Sequence, residues 1–268
     1  MNRFYKIFHP EVFQGSLKRK NYFEGWYFKN VSASLGSAVA IIPGISLSDD
    51  RHSFVQFIDG INRKTAYFRY PVDEFAFSKK KLEIRVGNSS FSDNSVTLDL
   101  ANSNMRIEGM LSYDGQIRLP KSLLTPGIMG WYSYIPTMEC NHGVVSVNHN
   151  ITGSLSINGT ATDFSGGTGY IEKDWGISFP ESWVWLQCNN FSTPATSLMI
   201  SIAKIPWKGH FFIGLISFLH YQGRVELFAT YNGSKVISLK QINRNLTEIV
   251  ISRGRKILTV RITKSGSG

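Results

Sequence analysis

Residues 22–29 read YFEGWYFK, and this alternating stretch shows the pattern that decides the fold. In an extended segment, alternate side chains lie on the same face, so Glu24 shares a face with Trp26 and Phe28, opposite Tyr27. Similar period-2 runs, separated by Gly, Asn, Asp and Ser, recur along the whole chain. Patterns typical of helices are almost absent. The sequence therefore predicts an all-β protein.

The composition of the 268 residues fits a packed β protein. Hydrophobic residues make up 42% of the chain, which excludes an intrinsically disordered protein. Ala, Glu, Lys and Leu do not dominate, which excludes a coiled coil or another long-helix protein. Aromatic residues reach 13%, and 24 glycines punctuate the strand-like runs. Asn-Gly and Asp-Gly pairs predict tight hairpins at Asp114-Gly115, Asn158-Gly159 and Asn232-Gly233.

The short strands are numerous enough to fill two packed sheets or two barrels. Glu24–Trp26 and Glu172–Trp175 each open a run of strands, which indicates a faint internal duplication. The stretch Leu119–Gly130 interrupts the strand pattern with two prolines and two glycines, so we expect a domain boundary there. The predicted division is a first barrel at 1–125, a second barrel at 126–264, and an SGSG tail at 265–268 that is a linker or a cloning remnant.

No segment predicts targeting or membrane insertion. Met1–Gly15 has no apolar run followed by a small-residue cleavage site, so no secretory signal is expected. The most apolar stretch, Phe211–Tyr221, is about half the length of a membrane-spanning helix. We therefore expect a soluble cytoplasmic protein whose two cysteines, Cys140 and Cys188, are reduced.

The formal net charge of +10 raises the question of an anionic partner. The basic residues are scattered, and no RNA-binding aromatic signature, zinc finger or helix-turn-helix pattern accompanies them, so we expect no nucleic-acid partner. Two interpretations stay open: peripheral attraction to an anionic membrane surface, and a solvated surface without a partner. The short basic clusters are Lys18–Lys20, Lys79–Lys81 and Arg253–Lys256.

The YFEGWYFK stretch is also the first candidate for a functional site. A carboxylate among aromatic side chains is costly to bury unless it is paired or protonated. Glu24 therefore either pairs with a basic side chain at one end of a barrel or belongs to a ligand cavity. In the second case Trp26 lines the same cavity, because it shares the face of Glu24.

A second candidate is the stretch Gly169–Gln187, which reads GYIEKDWGISFPESWVWLQ. On a strand, Tyr170, Glu172 and Asp174 share one side. Two carboxylates at this spacing repel each other, and burial would raise the pKa of one of them, which keeps a carboxylic acid protonated near neutral pH. Farther along, both strand faces are apolar, so one face can pack in the core while the other lines a cavity. The cavity candidates are Trp175, Trp183, Trp185 and Gln187.

The third candidate is Met138–Asn150, MECNHGVVSVNHN, which contains two histidines and Cys140. A zinc site is disfavoured because no Cys-x-x-Cys or His-x-x-x-His spacing is present. A Cys–His nucleophile pair is disfavoured because no third orienting group is evident. The remaining interpretations are histidines that hydrogen-bond the backbone, or a polar contact from His142 to a ligand.

Several common active sites are missing from the sequence. It contains no Walker-type phosphate loop, no Gly-x-Gly-x-x-Gly between a strand and a helix, and no Gly-x-Ser-x-Gly elbow. The glycine-rich run 166–169 precedes a predicted strand, so it predicts a turn. Nucleotide chemistry and hydrolysis by a catalytic triad are therefore disfavoured.

The three candidate stretches resemble the tocopherol cyclase-like family. The matching segments are Tyr22–Lys29, Met138–Ser146 and Gly169–Phe179. The resemblance implies two tandem lipocalin-like β-barrels, related to other lipocalin-type proteins that act on isoprenoids and polyketides. The sequence differs from the plant members in lacking a transit peptide, so we expect a bacterial member. Plant and cyanobacterial members close the chromanol ring of tocopherols from a phytyl-substituted benzoquinol. Because the sequence stops soon after Ile262, we expect the second barrel to be incomplete.

The residues and the resemblance both favour an apolar cavity that contains few acids. Closing a chroman ring requires a proton on the prenyl double bond, and a neutral carboxylic acid is a suitable donor. We expect Glu172 or Asp174 to donate, with Glu24, His142 and Gln187 orienting the phenol or the acid. The substrate would be a prenylquinol or a related isoprenoid, and no metal or redox cofactor is required. The expected lining is Trp26, Tyr170, Trp175, Trp183 and Trp185.

Two alternatives stay open at this point. A lipocalin-like carrier would use the same aromatic side chains to hold a lipophilic ligand without transforming it. A different isoprenoid or polyketide enzyme would use the same cavity for alkene hydration or a pericyclic cyclisation. The sequence does not separate these from chroman formation, because the admission of water depends on the shape of the cavity.

Overall fold

The computed structural model describes residues 3–207 and 210–264. The SGSG tail at 265–268 lies outside the described residues. Strands dominate the described residues and the helices are few and short, so the predicted all-β class is confirmed. The chain divides into two compact units. The first runs to Phe179 and also takes in Asn189–Ser197, and the second combines Pro180–Cys188 with the residues after Ser197.

The first unit contains a short helix, α1 (Arg3–Phe8), and twelve strands. In the strands Phe23–Val31 and His52–Asp59 every second side chain is buried, as the period-2 pattern predicts. Within the described ranges, no helix is long and apolar enough to cross a bilayer. The strands are β1 (Phe23–Val31), β2 (Ala38–Ser46), β3 (His52–Asp59), β4 (Lys64–Tyr70), β5 (Phe75–Phe77), β6 (Glu83–Val86), β7 (Ser89–Ser92), β8 (Ser95–Ala101), β9 (Arg106–Ile117), β10 (Cys140–Ile157), β11 (Thr160–Asp163) and β12 (Gly167–Gly176).

The twelve strands form one antiparallel sheet that nearly closes into a barrel. Its order is β4-β3-β2-β1-β12-β10-β9-β8-β7-β6-β5, and β11 pairs with β10 outside this path. Strands β1 and β12 are neighbours, with Trp26 opposite Lys173 and Tyr27 opposite Glu172. The two motifs whose similarity indicated a duplication therefore lie side by side in one sheet.

The domain boundary expected near residue 125 falls between β9 and β10. These two strands pair with each other, and β10 also pairs with β12. The compact units therefore divide the chain near Phe179 rather than near residue 125. The prolines and glycines of Leu119–Gly130 belong to a long connection between two neighbouring strands of the same sheet.

The Asn-Gly and Asp-Gly pairs have different structural roles. Asn158-Gly159 joins β10 to β11 as a two-residue hairpin with both residues at positive φ, which confirms that prediction. Asp114-Gly115 lies inside β9, next to a register shift against β10. Asn232-Gly233 connects two strands of different sheets. The hairpin predictions at the last two pairs are wrong because a glycine at positive φ also serves bulges and connections.

The core of the first unit is aromatic and occupies one face of β1 and β12. Trp26, Phe28 and Ile171 alternate along these strands on that face and are fully buried. Replacing a buried ring of this kind with alanine costs about 3–5 kcal/mol. Because side chains alternate, the intervening positions of β1 and β12 lie on the opposite face of the sheet.

In its described residues, the second unit contains two smaller sheets, with four strands in one and three in the other. Leu198 and Ile200 of the first of these sheets and Ile249 and Ile251 of the second belong to one buried cluster. The hydrophobic effect therefore holds the two sheets of this unit together. The strands are β13 (Trp183–Cys188), β14 (Ser197–Trp207), β15 (His210–Tyr221), β16 (Arg224–Ala229), β17 (Lys235–Asn243), β18 (Leu246–Arg253) and β19 (Lys256–Thr263).

Candidate functional site

Polar side chains occupy the face of β1, β10 and β12 that is opposite the core. They lie there because each is one position out of phase with the aromatic core residues. Lys29 of β1 stands opposite Tyr170 of β12, and His142 of β10 stands opposite Asp174 of β12. We call this surface the polar face; its members are Tyr27, Lys29, His142, Tyr170, Glu172 and Asp174.

Three residues of the polar face form a compact ionisable group. Nδ1 of His142 lies 2.8 Å from Oδ1 of Asp174, and Nε2 lies 3.2 Å from Oε2 of Glu172. The hydroxyl of Tyr170 donates a hydrogen bond of 2.7 Å to the same Oε2. We call His142, Glu172 and Asp174 the acid cluster. The structure therefore brings together four of the residues that the sequence singled out.

The members of the acid cluster differ in their exposure. The side chain of Glu172 is 5% exposed and that of His142 is 10% exposed, whereas that of Asp174 is 33% exposed. Asp174 is thus the member through which the cluster is most accessible to a ligand.

The two carboxylates control the protonation of His142. Burial alone would lower the pKa of His142, but the charges of Asp174 and Glu172 outweigh burial and raise this pKa to about 10. Burial and the charge of Glu172 also raise the pKa of Tyr170 well above its ordinary value. At neutral pH the cluster therefore contains an imidazolium between two carboxylates, with a neutral tyrosine donating to one of them.

The His142 interaction predicts a pH-dependent stability. The folded-state pKa lies above the ordinary histidine value of 6.5, so the stabilisation is fully present below pH 6.5 and is lost as the pH rises towards 10. We expect the difference in unfolding free energy between the wild type and His142→Gln to shrink across this window in urea titrations. A difference that stays constant or grows between pH 6.5 and 10 would show that His142 is not held protonated by its neighbours.

The other end of the polar face contains a polar network that the sequence did not single out as a site. Nζ of Lys29 donates to Oδ1 of Asn189 at 3.2 Å, and Nδ2 of Asn189 donates to Oδ1 of Asn148 at 3.1 Å and to the Gly169 carbonyl at 2.9 Å. Both asparagines are buried. Strand alternation in YFEGWYFK already places Lys29 beside Tyr27, but only the strand pairing brings Asn148 and Asn189 to it.

Glu24 lies on the core-facing side of the sheet, away from the acid cluster. Its carboxylate forms an ion pair with Lys173 and accepts a hydrogen bond from the Tyr22 hydroxyl. It also accepts bonds of 2.8–3.0 Å from the backbone amides of Gln14 and Gly15. The structure therefore gives Glu24 the role of a paired, buried carboxylate, which was one of the two interpretations left open by the sequence.

The side chains of Trp26 and Trp175 lie beside the ion pair of Glu24 and Lys173, and not beside the carboxylates of Glu172 and Asp174. The ammonium of Lys173 lies 4.5 Å from the ring centroid of Trp26 and 4.8 Å from that of Trp175, and burial lowers the pKa of Lys173 to about 8 although Glu24 opposes the shift. Its Nζ also donates to the Pro10 carbonyl at 2.8 Å and the Val12 carbonyl at 2.5 Å. These contacts fasten the N-terminal segment to β1 and β12.

The remaining predicted lining residues belong to the second unit. Trp183, Trp185 and Gln187 lie on β13, which pairs with β14 along its whole length. The exposed fraction of Trp183 is 55%, whereas Trp185 and Gln187 are partly buried. Their positions on one face of a strand agree with the alternation in the sequence.

The two histidines of the third candidate stretch have separate roles. His149 packs against the ring of Tyr113 in the core at a centroid distance of 4.5 Å, and its Nδ1 lies 3.0 Å from the Ser146 hydroxyl. Burial lowers the pKa of His149 to about 4, so this side chain is neutral at pH 7.

Cys140 does not have the properties of an activated nucleophile. Burial and the charge of Asp174 raise the pKa of its thiol, whereas an activated nucleophile needs a lowered pKa. Across 3–207 and 210–264, no group of three His, Cys, Asp or Glu side chains is arranged to hold a metal ion.

A sequence profile of the family described as "Tocopherol cyclase-like" matches residues 106–241, which is half of the chain. The chain belongs to the tocopherol cyclase-like family. The matched region of this family member contains the whole acid cluster and Tyr170, whereas Glu24 and Lys29 precede it.

The family member is also similar to plant proteins over part of its length. It is 28% identical over 109 residues to a rice protein (Oryza sativa subsp. japonica) named "Probable tocopherol cyclase, chloroplastic". These residues cover 39% of this chain and 23% of the rice protein. The chain therefore matches about a quarter of the length of its plant relative.

Solved structures of low sequence identity share the fold of this tocopherol cyclase-like chain. The crystal structure of CghA superposes with a TM-score of 0.59 at 10% identity, covering 90% of this chain and 74% of that one. Kievitone hydratase from Nectria haematococca gives a TM-score of 0.51 at 9% identity, covering 86% and 72% of the two chains. These neighbours agree with the predicted lipocalin-like β fold, which is confirmed.

Proposed function

We propose that the chain is a cyclase-type enzyme that protonates the double bond of a prenylated quinol or a related isoprenoid. The observation that carries this proposal is the acid cluster, in which an imidazolium lies between two carboxylates and one carboxylate is a third exposed. A buried group of this kind with a strongly shifted pKa is typical of proton-transfer sites.

The proposed reaction consumes no net proton. The imidazolium of His142 first passes its proton to a carboxylate of the acid cluster, and the carboxylic acid so formed transfers this proton to one carbon of the prenyl double bond, whose π electrons form the new C–H bond. The other carbon becomes a tertiary carbocation, which a lone pair of the neighbouring phenol oxygen captures to close the ring. The phenol proton then returns to the carboxylate. No step requires a redox cofactor, because ring closure is an isomerisation in which the formal reduction of one alkene carbon balances the oxidation of the other.

The geometry favours Asp174 as the catalytic donor. It is the most exposed member of the cluster, and its Oδ1 lies 2.8 Å from Nδ1 of His142, which supplies and recovers the proton. Glu172 is a positioning residue in this account, because it contacts the other ring nitrogen of His142 and accepts from Tyr170. The proton is thus stored on His142 and presented through Asp174.

The names of similar proteins support a reaction at a prenyl double bond. The rice relative is named a tocopherol cyclase, and one structural neighbour is named a hydratase. Ring closure and hydration both begin when an alkene is protonated, and they differ in whether a phenol or a water molecule captures the cation. A lipophilic substrate of this class also gives a reason for the +10 surface to approach anionic membranes, where such molecules reside.

The purified chain is expected to convert a hydroquinone that has a prenyl chain next to a hydroxyl group into its cyclic isomer. The product would have the mass of the substrate and a different chromatographic retention time, because ring closure only rearranges bonds. Liquid chromatography with mass spectrometry measures the conversion against a boiled-protein control.

Other products would count against this reaction. A product that gains the mass of one water would favour a hydratase. Recovery of unchanged quinol bound to the protein would favour a lipocalin-like carrier and contradict the proposal.

A further inference from the structure

A second candidate binding site lies near the N-terminus of the first unit. It is a pocket of about 380 Å³ bordered by the N-terminal segment, the end of β5 and the residues that follow β5. Its volume is within the range of small-molecule sites in proteins. We call it the lysine pocket after its three basic lining residues, Lys6, Lys18 and Lys79; its apolar lining comes from Phe13, Leu17 and Phe77.

The charged side chains that line the lysine pocket are all positive. Its lining includes three ammonium groups and no carboxylate. Lys6 is held in place because its Nζ donates to the Gln14 carbonyl at 2.5 Å and approaches the Gly15 carbonyl at 3.5 Å. Burial lowers the pKa of Lys6, and the nearby charges of Lys79 and Arg19 lower it further against the opposing effect of Glu24. Glu24, the acid whose charge acts on Lys6, already pairs with Lys173, so it does not cancel the positive charge of the pocket.

The apolar part of the lining packs against the core. The rings of Phe13 and Phe77 lie 4.2 Å apart between centroids, and Phe13 is almost completely buried in the core. Leu17 packs against the same core. The pocket therefore offers an apolar wall beside a group of cations.

We propose that the lysine pocket binds a phosphate group attached to an apolar chain. Lysine ammonium groups bind phosphate as point charges, and three of them from separate segments suit an anion with more than one charge. The phenylalanine and leucine side chains would contact the first carbons of the chain. This ligand is independent of the proposed cyclisation, because the acid cluster lies on the opposite face of the sheet.

The test is a calorimetric titration with octyl phosphate at pH 7.5. The double variant Lys18→Ala/Lys79→Ala removes two lining charges, and Lys20→Ala/Lys80→Ala removes two exposed charges from the same segments that do not line the pocket. We expect the first variant to bind about tenfold more weakly than the wild type and the second to stay within about twofold. Inorganic phosphate should bind more weakly than octyl phosphate.

Two results would overturn the proposal. Equal weakening in both double variants would mean that only the general positive charge attracts the anion. An absence of saturable binding at millimolar octyl phosphate would mean that the pocket is not a site for this ligand. Lys18→Arg/Lys79→Arg keeps both charges, so it should restore binding if the alanine variant loses affinity through lost charge rather than through misfolding.

A vesicle experiment distinguishes the two sources of such a ligand. Wild type and both variants are sedimented with phosphatidylcholine vesicles, with and without phosphatidic acid. If the ligand is a membrane headgroup, the lining variant alone should lose binding to the anionic vesicles. If all three proteins sediment alike while the lining variant loses octyl phosphate, the pocket takes a soluble phosphorylated molecule.

Discussion

Replacing Lys173 with methionine is expected to lower the free energy of unfolding by about 3–5 kcal/mol, because the substitution leaves the buried carboxylate of Glu24 without its counter-charge. It also removes two hydrogen bonds to the N-terminal segment, at Pro10 and Val12. For a unit of this size the melting temperature should fall by roughly 6–20 °C. Scanning calorimetry measures the change.

A matched substitution on an exposed strand separates this effect from the loss of a lysine in general. Lys64→Met, on β4, should change the unfolding free energy by no more than about 0.5 kcal/mol. The double variant Glu24→Gln/Lys173→Met should recover part of the lost stability, because glutamine removes the unpaired charge and keeps a side-chain oxygen that can accept from the Gln14 and Gly15 amides. A loss of less than about 1 kcal/mol of unfolding free energy in Lys173→Met, or no recovery in the double variant, would mean that this ion pair does not stabilise the packing of the N-terminal segment.

Replacing Asp174 with asparagine is expected to lower kcat on the prenylated hydroquinone by about 10²–10⁴-fold, because an amide cannot transfer the proton. KM should change little, since asparagine has nearly the same shape. Steady-state kinetics with chromatographic detection of the cyclic product measures both values. Glu172→Gln should also slow turnover, because Glu172 contacts Nε2 of His142 at 3.2 Å and helps to keep it protonated.

Asp73→Asn serves as the matched control, because Asp73 is exposed and lies near the start of β5, far along the sheet order from the acid cluster. Its kcat should remain within about twofold of the wild type. If both Asp174→Asn and Glu172→Gln fold normally and keep wild-type turnover, the proposed proton donor is wrong.

The sequence predicts which side chains share a face of a strand, but it does not predict which of the two faces points towards the core. Strand parity correctly placed Tyr170, Glu172 and Asp174 on one side. Glu24 has similar aromatic neighbours, so the local pattern gave no reason to separate it from Glu172. The register that sets Trp26 opposite Lys173 decides the question, because it puts Glu24 and Lys173 on the core side together.

Long-range pairing also explains why the predicted domain boundary and the observed compact units differ. Leu119–Gly130 has the composition of a linker, yet β9 before it and β10 after it form an antiparallel pair. A connection within one sheet and a linker between domains share proline and glycine, so composition alone cannot tell them apart. The contact between Asn148 and Asn189 could not be predicted from the sequence either, because the two residues become neighbours only when the chain folds.

The most direct test of the central claim is the reaction of the wild type and Asp174→Asn in heavy water. If the acid cluster protonates the double bond, the cyclic product from the wild type should contain one non-exchangeable deuterium. The label should lie on the ring carbon adjacent to the carbon that forms the new C–O bond. Asp174→Asn should form this labelled product at least about 10²-fold more slowly. A wild-type product without deuterium, or equal labelling rates in the two proteins, would contradict proton delivery by the His142–Glu172–Asp174 cluster.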